Sequence, residues 1–82
     1  MGYTYILLCS NNTYYVGSTN NIERRVGEHM SGMSKTTKGI LPVKLVFTKV
    51  FDTLAEARSY EYFIKRQRNK HFYKRLIDGK IA

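Results

Sequence analysis

Two runs of aromatic and branched residues open the chain: residues 3–9 (YTYILLC) and 14–18 (YYVGS), separated only by Ser10-Asn11-Asn12-Thr13. Side chains of this kind favour extended backbone, and the short asparagine-rich interval is a turn signal. The chain therefore begins with a β-hairpin. The pairing has a consequence for the two central tyrosines. If Cys9 faced Tyr14 directly, Tyr5 and Tyr15 would fall on opposite faces of the sheet, because side chains alternate along a strand. An odd-length loop or a bulge near residues 10–14 is needed to bring them together.

After the hairpin the pattern changes period. Asn20 followed by Glu23 has the spacing of a capping box and predicts a helix start. Ile22, Val26, Met30 and Met33 recur every three or four residues and predict one apolar stripe. Ser31-Gly32 can end that helix. Residues 33–42 (MSKTTKGILP) read as a polar, basic loop closed by Pro42, and Val43 to Phe51 as a third strand. Thr53 with Glu56 forms a second capping box. The helix after it is expected to reach about Arg68, with Ala57, Tyr60 and Ile64 inward. Residues 70–78 predict a last short helix that buries Phe72, Leu76 and Ile77 and stops at Gly79. The order is β-β-α-β-α-α, without a repeating βαβ unit. The expected class is α+β, a three-stranded antiparallel sheet flanked by helices.

Size and charge narrow the function. With 82 residues the chain is expected to form a single domain, 1–82. It carries 14 Lys and Arg against 6 Asp and Glu, a net +8, with 43% hydrophobic residues, an ordinary share for a folded domain. One cysteine, Cys9, excludes an internal disulfide framework, and with only His29 and His71 beside it a four-ligand zinc site is disfavoured. No apolar run approaches the roughly 20 residues of a membrane span, and the expected location is cytoplasmic. The charge is uneven: residues 1–34 are neutral, 35–53 carry +3 and 54–82 carry +5. A neutral front and a basic back point to a polyanion, with nucleic acid as the default partner.

Several catalytic patterns are absent. There is no glycine-rich phosphate loop, no His-Glu-x-x-His, and no support for a serine or cysteine triad. What remains is Tyr5 and Tyr15 on the paired strands, Arg25 and His29 four apart on the first helix, and Glu61 on the second. Each has an ordinary alternative: tyrosines that pack, a solvated arginine, a histidine paired with Glu28 or Glu23, and a Glu61–Lys65 helix pair. Together they could cut a phosphodiester. Glu61 would hold a divalent cation, Arg25 would offset charge on the phosphorane, and a phenol or imidazole would take a proton from water. Lowering a phenol from near 10 to about 7 requires roughly 4 kcal/mol, within reach of a metal ion and Arg25.

The ordered set resembles the GIY-YIG nuclease domain. The second signature stands as Tyr15-Val16-Gly17, and the first is reduced to Tyr3-Thr4-Tyr5, without its glycine and isoleucine. The family arginine, eight residues after the glycine, falls on Arg25, and a frequent histidine four further on falls on His29. The family glutamate matches Glu61 within the segment from Glu56 to Lys65. The middle segment, Thr37-Lys38-Gly39 followed by Pro42 to Val46, is similar to the small single-domain bacterial branch. The late asparagine of several members has no counterpart, Asn69 standing too near Glu61. The resemblance implies an endonuclease dependent on Mg²⁺ or Mn²⁺. Tyr5, Tyr15 and His29 would shape the site and supply the base, Arg25 would grip the scissile phosphate, and Glu61 would hold the metal. Gly17 is expected to let the backbone turn out of the strand. DNA, branched or damaged, is the expected substrate, as in DNA repair, and Lys35, Lys38, Lys65, Arg66 and Arg68 are candidates for phosphate contact. Two alternatives stay open: a module of the same fold that binds without cutting, and an accessory subunit of a repair nuclease that works through a protein partner or a second copy.

Overall fold

The computed structural model describes residues 1–33, 38–67 and 69–79. The hairpin is formed by β1 (Gly2–Cys9) and β2 (Tyr14–Thr19). Then come α1 (Ile22–Met30), a short 3-10 turn (Lys38–Ile40), β3 (Val43–Phe51), α2 (Leu54–Gln67) and α3 (Lys70–Ile77). The three strands make one antiparallel sheet in the order β2-β1-β3. The α+β class and the strand count agree with the sequence reading, and β3 has the expected bounds.

The hairpin loop is odd. Leu8 faces Tyr14, and the Cys9 amide donates to the Thr13 carbonyl at 2.9 Å, leaving Ser10, Asn11 and Asn12 as the loop. Asn12 takes the left-handed conformation (φ 65°) that such a loop requires, which asparagine tolerates better than most residues. This parity sets Leu7 opposite Tyr15 and Tyr5 opposite Gly17, so both tyrosines lie on the same face. A bulge interrupts the β1–β3 pairing between Ile6 and Leu7. It lets Val46 and Phe47 both join the opposite face.

The sheet separates two cores. On one face Tyr5, Leu7, Cys9 and Val43 pack with Tyr15, Ile22 and Leu45. On the other Ile6 and Val16 meet Ile64 of α2 and Leu76 of α3. Buried Thr4 ties this second layer down by donating to the Ala57 carbonyl at 2.7 Å, which gives its hydroxyl the partner that burial demands. Burial pushes the Cys9 thiol up, which suits a packing role.

Three local expectations are corrected. The cap of α1 is Asn21, whose side chain accepts from the Arg24 amide, rather than Asn20. The second cap is as expected, with Thr53 Oγ1 accepting from the Glu56 amide at 3.2 Å. The apolar stripe of α1 does not extend to Met30 and Met33, which are 50% and 75% exposed. The helix ends at Met30, and His29 takes the inner position one turn after Val26. In α3, Leu76 is buried whereas Phe72 and Ile77 are half-buried. Asn69 caps that helix by accepting from the His71 amide, which gives it a local structural task.

Candidate active site

The site is built around Tyr5, in the middle of the central strand and 1% exposed. Its ring lies across the sheet over Gly17. A Cβ at that position would meet the Tyr5 hydroxyl at 2.5 Å and Cζ at 2.6 Å. Gly17 therefore makes room for a phenol. The expectation that it turns the chain is corrected, because it sits inside β2 and pairs with Tyr5.

His29 comes to Tyr5 from α1. It is fully buried, and its Nε2 lies 3.0 Å from the Tyr5 hydroxyl. Burial lowers the His29 pKa, the Arg25 charge lowers it further, and Glu28 opposes both. The imidazole is therefore neutral near pH 7. Burial also pushes the Tyr5 phenol up to about 12; the Arg25 guanidinium beside it works the other way, and the charges of Tyr15 and Glu61 add to the rise. The shifts diverge, so the proton stays on Tyr5. The phenol and the neutral imidazole share this hydrogen bond, and the imidazole tautomer sets which of them donates. Arg25 does not lower this phenol below 10, and Tyr5 is poorly suited to be the base by itself.

Tyr15 completes the aromatic group, with its ring centre 4.9 Å from that of His29 and 6.4 Å from that of Tyr5. It is half-buried. Arg25 stands beside both phenols. Its Nη1 donates to Glu28 Oε1 at 3.0 Å, and that carboxylate first, then the two tyrosines, hold the guanidinium charged. Arg24, by contrast, is 60% exposed and makes only a 3.8 Å contact to Glu28.

Glu61 approaches from the other side of the sheet. Ser18 follows Gly17 in β2, so its side chain points away from Tyr5 and toward α2. It donates to Glu61 Oε1 at 2.5 Å, while Lys65 Nζ donates to Oε2 at 2.6 Å. The phenol and the carboxylate thus lie on opposite faces of β2, and the Glu61 charge is felt at Tyr5. Ser18 is a site residue that the sequence does not single out. Its signal is only its place after Gly17, which alternation turns toward the second helix.

The expected phosphate contacts fare differently. Lys35 and Arg68 lie outside the described residues, and so does the Lys38 side chain. Lys65 is engaged by Glu61, and the Arg66 guanidinium lies 5.7 Å from the Tyr62 ring centre, where the two attract. Among the described residues no three His, Cys, Asp or Glu side chains gather around one point. A cation here would therefore be held by one carboxylate and otherwise by water and substrate oxygens. That mode suits magnesium, which dehydrates reluctantly and commonly takes one or two carboxylates. Glu61 fits it as a single carboxylate with one oxygen oriented by Ser18, and a cation would displace Lys65 from the other. Among the described residues no helix is long and apolar enough to cross a membrane.

A family model described as the GIY-YIG catalytic domain matches residues 1–75. A UPF0213 protein of Clostridium perfringens is 46% identical over 67 residues, 80% of this chain and 72% of that one. A UPF0213 protein of Halobacterium salinarum is 45% identical over 67 residues, 80% of this chain and 87% of that one. The solution NMR structure of a UPF0213 protein from Bacillus halodurans is similar with a TM-score of 0.62 at 35% identity, covering 98% of this chain and 86% of that one. A match over nearly the whole sequence, joined to a fold of the same kind, shows that the chain belongs to the GIY-YIG nuclease domain family, among its small UPF0213 members.

Proposed function

We propose that this protein is a metal-dependent endonuclease that hydrolyses phosphodiester bonds in DNA. The observation that supports the reading is the gathering of Tyr5, His29, Tyr15 and Arg25 on one face of the sheet, with Glu61 on the opposite face near enough for its charge to act on Tyr5. Arg25 binds the scissile phosphate, its charge secured by Glu28. Tyr5 and His29 form a rigid buried pair that holds the aromatic wall in place. Tyr15, more open and next to the guanidinium, is positioned to order the attacking water and relay its proton. Glu61, oriented by Ser18, would hold a magnesium or manganese ion. When bound, such an ion supplies charge stabilisation for the phosphate and the departing oxygen.

A second reading has its own support. Both Glu61 oxygens are already engaged, by Ser18 and Lys65, which suits a module that holds nucleic acid without cutting it. One experiment separates the two. Wild type, Arg25→Ala and Glu61→Ala are assayed on single-stranded, nicked, flapped and four-way DNA and RNA, with Mg²⁺ and with Mn²⁺. Cleavage by wild type, at least about 100-fold slower in each variant while much of the binding is retained, supports the nuclease. A wild type that binds but never cuts supports the binding module.

A further inference from the structure

We propose that the cavity between the β1–β2 hairpin and α3 is a second phosphate site, which takes a backbone phosphate of the same nucleic acid at a distance from the cut. The proposal rests on the nuclease reading for its ligand, but not on cleavage. The cavity has a volume of about 250 Å³ and is lined by Asn12, Tyr14, Lys70, His71 and Lys74. Among the described residues no carboxylate lines it. Lys70 and Lys74 are four apart on α3 and project from one face of that helix. Lys70 Nζ donates to the Asn12 carbonyl at 3.1 Å, which anchors its ammonium across the hairpin loop. Lys74 forms no ion pair with any described residue; the three ion pairs there involve Glu28 and Glu61. Tyr14 closes the floor, its ring packed edge-on to Tyr73 at 5.4 Å. Two ammonium groups, a ring nitrogen and a phenol around one hollow make a donor-rich, acceptor-poor lining suited to phosphate oxygens.

Placement gives the source of that phosphate. Tyr14 and Ser18 point to the same face of β2, and four residues of strand separate them by about 13 Å. The cavity and the Ser18–Glu61 pair therefore lie along one side of one strand. That separation corresponds to about four base-pair steps of rise, at roughly 3.4 Å per phosphate along a strand. β2 is an edge strand, and a nucleic-acid strand following its outer edge passes both. This gives the basic end of the chain a task as a register clamp, holding the backbone a fixed distance from the cut.

The test uses the full chain in EDTA, where cleavage does not interfere. Fluorescent DNA of about 16 nucleotides, long enough to cover several phosphate contacts, single-stranded and duplex, is titrated at several salt concentrations. The proteins are wild type, Lys70→Gln/Lys74→Gln, and the charge-matched control Lys44→Gln/Lys49→Gln. Amide shifts are followed by NMR. The expected result is a roughly 5- to 20-fold loss of affinity in the α3 variant, with a salt slope shallower by about 1 to 2. The control should show a smaller effect, and wild-type shifts should appear at residues 12–14 and 70–74. Equal losses in both variants, shifts that bypass those residues, or no DNA binding at all would overturn the proposal. Saturable shifts there with inorganic phosphate, while DNA affinity ignores the lysines, would also overturn it and assign the cavity to small phosphate compounds. If wild type shows the clamp in EDTA yet never cuts with Mg²⁺, the nuclease reading fails and the phosphate site stands.

Discussion

Substituting Gly17→Ala tests the packing on which the site depends. The added Cβ would stand 2.5 Å from the Tyr5 hydroxyl and 2.6 Å from Cζ, whereas ordinary contact begins near 3.4 Å. The ring must therefore retreat by almost 1 Å. Little can give way, because β1 is hydrogen-bonded to a neighbour on each side and His29 already meets the hydroxyl at 3.0 Å. Overpacking of this kind costs about 1–3 kcal/mol. Separating Tyr5 from His29 leaves a buried donor and a buried acceptor unpaired, for about 1–3 kcal/mol more. A total near 4 kcal/mol lowers the melting temperature of a domain this size by roughly 16–32 °C. Urea and thermal unfolding followed by circular dichroism measure it. The same substitution in a Tyr5→Leu background, where no ring is present, is expected to cost under about 0.5 kcal/mol or to stabilise, since alanine suits a strand better than glycine. The coupling between positions 5 and 17 should then exceed about 2 kcal/mol. Additive effects, or a Gly17→Ala variant that unfolds like wild type when the Tyr5 ring is present, would refute the claim that this ring occupies the missing side chain.

Two further outcomes follow from the electrostatics. The Tyr5 phenol is raised from 10.0 to about 12, so its contribution to stability is intact below pH 10 and is lost as the pH climbs through 12. The stability difference between wild type and Tyr5→Phe should therefore shrink by about 1 kcal/mol between roughly pH 9 and pH 11 in urea titrations, and a constant difference would contradict the burial of that proton. Lys65 competes for Glu61, so Lys65→Met should lower the Mg²⁺ concentration for half-maximal cleavage several-fold; an unchanged requirement would show that the lysine does not oppose metal binding.

Much of the scaffold is readable from local chemistry. The bounds of β3 follow from a run of branched and aromatic residues, and the start of α2 from Thr53 and Glu56, because both signals act over a few residues. The inner face of α1 escapes such reading because periodicity counts hydrophobic residues. The methionines fit the count, but the helix ends too early to bury them, and an imidazole can go inside once a phenol offers a partner. The meeting of Tyr5 with Tyr15 depends on the parity of one loop, which composition does not disclose. Gly17 stands out for its backbone, but its use is the space above it, and that space becomes visible only when the opposite strand is in register. Ser18 and the lysines of α3 acquire meaning only from what lies across from them.

The three-residue connection between Cys9 and Thr13 has a bearing on how such proteins can diverge. A single inserted or deleted residue there would turn β2 over, presenting Tyr14, Val16 and Ser18 where Tyr15, Gly17 and Thr19 now stand. Relatives are therefore free to vary the letters of this connection, but indels in it should come in pairs, because an unpaired one would exchange the two halves of the site in a single step.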